Sequence, residues 1–323
     1  DARDALQVTE DRELSETRRW LAADCLPGAD PELAVRWGRL SPVLVTQGFI
    51  ARTESGDTAL LGRGGSDTSA ALLAGRLEAE RLEIWTDVPG LFSADPRRIE
   101  SARLLARVDY AEALEMAASG ARVVHPRCRR AAAATGTPVA VRDLGRSAAD
   151  GTLIQAEETV CEGIRAVTCR EDMAVILLQN LDARYQVGFL AEVFDMFRRR
   201  GISVDQVATS ETTTTVAFDC AANHLGEPEL AALVGDLRSR CRVDLFDDCV
   251  CVNLVGRGAR TALSRLGQVL KYFDDRPLLM VSQSANDLCL SLLVRRRDHE
   301  HLLRQAHGEL IPAEGDGPGG IFG

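Results

Sequence analysis

Residues 188–211, GFLAEVFDMFRRRGISVDQVATSE, read as a helix over 188–200 and a strand over 202–209, with Gly201 between them. A strand at 174–179 precedes this pair, and a strand at 213–219, a helix at 229–240 and a strand at 242–246 follow it. The order is βαββαβ. It then recurs as a strand at 250–255, a helix at 261–273, strands at 278–283 and 288–294, and a helix at 299–310. An internal repeat of this kind is the strongest architectural signal that pattern alone provides. The second copy lacks its last strand, and the apolar run GIRAVT at 163–168 is expected to complete it, so that the two units interleave. Tandem units of this type, about 70–80 residues each, form ferredoxin-like sandwiches of one antiparallel sheet against two helices.

Toward the N-terminus the pattern changes. Residues 1–40 are polar and helix-like, and SPVLVTQGFI at 41–50 reads as a strand. A glycine loop at 62–65 leads into a helix at 67–79, a strand at 82–86, a helix at 108–119 closed by Gly120, and a strand at 137–141. Strands that alternate with helices indicate an α/β domain with a largely parallel sheet. The expected division is therefore a partial α/β domain at 1–160, the tandem repeat at 161–312 and a Gly/Pro-rich linker at 313–323.

Composition narrows the function classes. The 323 residues suffice for about two domains with proper cores. Against 48 Asp and Glu stand 38 Lys and Arg, a net charge of −10, which disfavours a nucleic-acid or anionic-membrane binder. No apolar run reaches the roughly 18–20 residues needed to span a bilayer, and the first residues have no signal-peptide character. The nine cysteines are scattered without a C-x-x-C pair, so a reducing, cytoplasmic setting is expected. The five histidines show no zinc spacing, and no protein-ligated metal is expected.

The chemistry concentrates in LGRGGSD at 61–67. Gly62, Gly64 and Gly65 permit left-handed backbone and close approach, and Ser66 and Asp67 suit the start of the following helix. The amides of a helix start form an anion site, to which Arg63 adds a bidentate donor. No Gly-Lys-Ser/Thr follows, so this is not a Walker A loop. In WTDVPGLFSADPRR at 85–98, Thr86 and Asp87 fall at the ligand-facing end of a strand, and Asp95-Pro96-Arg97 forms a turn. In GARVVHP at 120–126 the lone His125 reads as structural.

Taken together, VTQGFI, TALLGRGGSDTSAALLA, IWTDVPGLFSADPRRI and EMAASGARVVHP, in that order, resemble the aspartokinases, closest to the lysine-sensitive type. Residues 188–211 are similar to the first of that family's two regulatory ACT domains, and the resemblance spans about residues 43–310. It implies an amino-acid-kinase-type α/β domain followed by two interleaved ACT domains, and transfer of phosphate from ATP with Mg²⁺ to L-aspartate. It implies that Arg63 meets the aspartate carboxylate, with Gly64, Gly65, Ser66 and Asp67 as the site floor. Thr86, Asp87, Phe92, Arg97 and Arg122 would meet the nucleotide; Phe92 stands where the family often has Tyr, and Arg122 where it has Lys. Gln186, Gly188, Phe189, Leu190, Ser203, Val204, Asp205, Ser210 and Glu211 match positions of the effector pocket, implying inhibition by L-lysine and a homodimer paired through the ACT domains.

The family's opening Lys-Phe-Gly-Gly-Thr motif has no counterpart in these residues, and the chain begins without Met. The expectation is a kinase domain lacking its N-terminal part, with little or no turnover by itself. A non-catalytic amino-acid sensor is the rival from another class. Part of a bifunctional biosynthetic enzyme with a further domain after the linker is the other alternative.

Overall fold

The computed structural model describes residues 1–8, 20, 23–121, 123–145, 151–156, 162–179, 187–273, 276–283 and 285–311. The chain forms two compact units, Asp1–Cys161 and Glu162–Pro312. The segment 313–323 lies outside the described residues.

In the first unit, helix α1 (Pro31–Gly38) starts where Asp30 accepts from the Leu33 amide at 2.9 Å, with Pro31 in its first turn. Strands β1 (Ile50–Arg52) and β2 (Thr58–Leu60) form an antiparallel hairpin. Helix α2 (Gly65–Arg76) and β3 (Leu82–Thr86) follow, then β4 (Arg107–Asp109), α3 (Tyr110–Ala118), α4 (Pro126–Thr135), β5 (Val139–Asp143) and β6 (Thr152–Gln155). Their sheet runs β3-β5-β6-β4. Strands β3 and β5 are parallel, as are β4 and β6, but β5 meets β6 antiparallel, so the sheet is mixed where a largely parallel one was expected. The expected strand at 41–50 is also reduced, since only Ile50 of that run is in a strand. Val43 and Val45 are 75% and 96% exposed. A β-branched run holds strand geometry only where a neighbour takes up its backbone hydrogen bonds, and none of the described strands pairs with it.

Glycines bring α2 and α4 side by side. A Cβ on Gly75 would lie 2.6 Å from Thr135 Cγ2 near the ends of the two helices, and one on Gly64 would lie 2.2 Å from His125 Cγ at their starts. The helices therefore run parallel. Each reverses into a strand through a short connection, α2 into β3 and α4 into β5. Twelve helical residues and five extended ones have similar lengths, about 18 and 17 Å. Both helix N-termini thus share one edge with the C-terminal ends of β3 and β5.

The second unit is built on two 14-residue strands, β7 (Ala166–Gln179) and β10 (Arg242–Val255). Between them lie α5 (Phe189–Arg199), β8 (Gln206–Thr209), β9 (Thr213–Asp219) and α6 (Glu227–Arg238). After β10 come α7 (Ala262–Leu270), β11 (Leu278–Gln283), β12 (Cys289–Arg295) and α8 (Arg296–Leu310). The six strands make an antiparallel sheet, β11-β12-β10-β7-β9-β8. One half of β7 pairs from Val175 to Gln179 with Arg242–Phe246, and the other pairs from Ala166 to Arg170 with Cys251–Val255. Runs that read as separate short strands are thus continuous. The pairing is irregular between Phe246 and Cys251, and Asp172 on β7 takes a φ of +58°. Arg296 clamps this bend, donating to Asp172 at 2.8 Å, Asp248 at 2.9 Å and Glu171 at 3.2 Å.

Although β8 and β11 are at opposite edges of that order, they touch, so the sheet folds back on itself. The fold is filled by Met173, Val175, Ala217, Cys249, Cys251, Met280 and Leu293. On its outer face, Ile176, Val193, Phe197, Phe218, Leu233 and Leu237 form a second core with α5 and α6. Burial pushes the Cys251 thiol up to about 11, and in the first unit that of Cys128 up to about 12, so both are protonated at neutral pH. No helix among the described residues is long and apolar enough to cross a membrane.

Phe197 is fully buried and packs edge-on to Phe218 at 5.7 Å between ring centroids. Phe197→Ala is expected to destabilise this unit by about 3–5 kcal/mol, read as a lowered urea midpoint with unchanged slope.

Candidate functional site

The glycine loop is shaped by its backbone. Gly62 and Gly64 adopt φ of +69° and +63°, so Arg63 sits between two left-handed residues. Gly64 caps α2 without a side chain, and its carbonyl accepts from the Thr68 amide and, at 2.8 Å, from the Thr68 hydroxyl. The Gly65 amide bonds back to the Gly62 carbonyl at 3.0 Å. The next two amides, of Ser66 and Asp67, find no acceptor among the described residues. They face outward at the positive end of a 12-residue helix. The Arg63 side chain is exposed and likewise has no carboxylate partner among the described residues.

Two rings enclose this loop. A Cβ on Gly65 would lie 2.3 Å from Phe49 Cδ2, and Phe49 itself holds a φ of +74°, an uncommon conformation for an aromatic residue. Ser69 keeps it there by accepting from the Phe49 amide at 3.1 Å while donating to the Ser66 carbonyl at 2.8 Å. His125 covers Gly64 and also caps α4, where Nδ1 accepts from the Arg127 amide at 3.3 Å. Burial lowers the His125 pKa, the neighbouring Arg127 adds to this, and Asp67 opposes it, so the ring is neutral at pH 7. The Arg127 guanidinium donates to the carbonyls of Leu61 and Ala23 and pairs with Asp24 at 3.0 Å.

At the same sheet edge, Thr86 ends β3, and its hydroxyl donates to Asp87 at 3.0 Å. Phe92 bridges to Leu104 and is half-buried. Arg97 is 89% exposed and pairs with Asp95 at 3.1 Å within its own turn. Arg122 lies outside the described residues. Phe49, Ser69 and Arg127 were missed by sequence reasoning, and His125, read there as structural, does cap a helix. The available signal was the His-Pro pair, which marks a capped helix start, whereas a positive φ at Phe49 leaves no mark in composition.

In the second unit, Gly188 (φ +94°) caps α5 beside a cleft of about 460 Å³. Phe189, Leu190, Ser210 and Glu211 line the same cleft, with the threonines 212–214. Gln186 lies outside the described residues. Ser203, Val204 and Asp205 are absent from the lining. They precede β8, whose far end carries the cleft, a separation of about 15 Å for extended backbone. There the Ser203 amide donates to Asn223 Oδ1 at 2.7 Å, and Val204 packs on the core under α5 and α6. Asp205 accepts from Arg170 at 3.0 Å and from the Asp219 amide at 2.8 Å.

Comparison with known proteins follows this division. Residues 33–143 match the model of the amino acid kinase family. The lysine-sensitive aspartokinase 3 of Escherichia coli K12 is 35% identical over 271 residues, covering 83% of this chain and 60% of that protein. The chain therefore spans less than two thirds of that relative's length. The crystal structure of E. coli aspartokinase III with lysine and aspartate, in its T-state, superposes with a TM-score of 0.78 at 32% identity, covering 97% of this chain and 69% of that one. The R-state structure of the same enzyme, with aspartate and ADP, gives 0.76 at 33% over the same shares.

Gly65→Ala would force a Cβ against the Phe49 ring. It is expected to lower the stability of the first unit by about 1–3 kcal/mol, visible as a drop in melting temperature.

Proposed function

The chain belongs to the aspartokinase family, and from that premise we propose that it is part of a cytoplasmic aspartate kinase that phosphorylates L-aspartate from ATP under feedback by L-lysine. The observation that carries the reading is the single sheet edge shared by the Arg63–Asp67 loop, the N-termini of α2 and α4, and the Thr86–Asp87 end of β3. Two helix N-termini, with amides and a guanidinium that have no partner among the described residues, make an anion site in a chain of net charge −10. Both proposed substrates are anions.

The acceptor is a carboxylate, ionised at pH 7 with a reference pKa of about 3.9, so it needs no general base. One of its oxygens bonds to the γ-phosphorus as the bond from that phosphorus to the β–γ bridging oxygen breaks, releasing ADP. The chain's task is to hold two anions together and offset their charge, which Arg63 and the α2 amides suit. Asp87, with no ion pair among the described residues, and Thr86 fit the metal side of a Mg²⁺–nucleotide. Bound Mg²⁺ would supply charge neutralisation along the phosphates.

We read residues 162–312 as the tandem ACT regulatory part. The start of α5 suits a ligand carboxylate, and Glu211 in the same cleft suits an ammonium. Because Ser203–Asp205 are held about 15 Å away, a second copy is the natural source of that half of the effector site. Strand β8 is an edge strand with Val207 42% exposed, which supports a homodimer formed through these domains.

In the full-length gene product, Arg63→Ala is expected to raise the aspartate KM by tenfold or more with a small effect on the ATP KM. Equal aspartate KM values for mutant and parent would remove Arg63 from the site, and absence of aspartate-dependent ADP formation in the parent would favour a non-catalytic sensor. L-Lysine at 100 times its Kd is expected to stabilise the chain by about 2.7 kcal/mol, read as a rise in melting temperature. A rise with L-threonine alone would keep the family and change the effector.

A further inference from the structure

We propose that His125 is a positioning residue of the phosphoryl-transfer site, acting through the backbone of residues 62–64 to set where the Arg63 side chain begins. The inference rests on the reading of this site as that of an aspartate kinase. Arg63 lies between two glycines with positive φ and has no side-chain partner of its own among the described residues. Such a segment is flexible unless something outside it fixes both flanks.

Beyond the bonds of Gly65 to Gly62 and of Thr68 to Gly64, the first turn of α4 adds a contact on each flank. The Arg127 guanidinium donates to the carbonyl of Leu61, the residue before Gly62. Two positions earlier, the His125 ring stands in contact with Gly64, the residue after Arg63. The ring is itself held, because Nδ1 accepts from the Arg127 amide at 3.3 Å, which places the proton of the neutral ring on Nε2. Residues 125 and 127 thus anchor positions 64 and 61, and α4 serves as a template for the loop. Neutrality suits this place, since Arg127, Arg129 and Arg63 all disfavour a charged ring and Asp67 alone favours one. The histidine therefore has two separable roles, helix cap and loop wall.

His125→Asn separates them, because asparagine is among the best N-caps but carries no ring. In the full-length gene product, His125→Asn is expected to hold the melting temperature within about 2 °C while raising the aspartate KM tenfold or more, with kcat falling less. In an Arg63→Ala background the same change is expected to alter the aspartate KM less than twofold, because a residue that acts through Arg63 has nothing left to position. Parental KM in the single variant, or the full effect in the double variant, would overturn the proposal. Hydrogen exchange of the 61–66 segment in the 323-residue chain gives an arm independent of catalysis, and at least tenfold faster exchange in His125→Asn is expected there. Unchanged exchange would also overturn it. Faster exchange in a protein that does not phosphorylate aspartate would uphold the loop template and reject the substrate.

Discussion

Contact between two helices at glycines organises the first unit. Gly64 and Gly75 lack the side chain that would keep α2 and α4 apart, and His125 and Thr135 occupy the space left free. Parallel helices in this arrangement bring their positive ends to one place, an alignment that mutual repulsion of the helix dipoles opposes. Packing along α2 and α4, together with the Arg127 bonds to the carbonyls of Leu61 and Ala23, outweighs that repulsion. The field left over at the shared edge favours anions, so the helix contact and the candidate site have one origin.

A different constraint governs the second unit. Two βαββαβ copies could each have closed a separate sheet, but here each long strand serves both copies. Sharing β7 and β10 forces a bend where the copies meet, and the bend brings Asp172, Asp248 and Glu171 near one another, where like charges repel. Arg296 at the start of α8 answers all three, and its own pKa is raised by those carboxylates. With the sheet folded back, a core of small and flexible side chains, among them Cys249, Cys251 and Met280, fills the space between the halves. Sulfur-bearing residues suit such irregular gaps.

Periodicity made most of this legible. Strands 82–86, 213–219 and 278–283 read from the sequence with the boundaries the structure gives them, because each alternates or runs apolar between clear turn residues. What failed to read was context. Nothing in Ala166–Gln179 announces that one strand will serve two sheet halves, since continuity depends on the partner β10. Residues 41–50 look like a strand and mostly remain irregular, with no partner among the described strands. Helix α4 hid behind an arginine- and alanine-rich run with no apolar stripe, although Pro126 and Gly136 mark its ends. In the site, the glycine loop and Thr86–Asp87 were visible as motifs. The residues that shape them from outside, Phe49, Ser69 and His125, are visible only through contacts between segments distant in sequence.

The same distinction between averaged pattern and local contact applies to charge. A net charge of −10 argues against anionic partners over long distances, because the averaged field repels them. Screening confines that field to about 8–10 Å in physiological salt, whereas a helix terminus acts within its first turn. A nucleotide or a dicarboxylate that reaches the α2–α4 edge therefore meets oriented amides and a guanidinium rather than the mean surface. A polyanion such as nucleic acid extends far beyond one helix turn, so for it the net charge of −10 is the governing quantity.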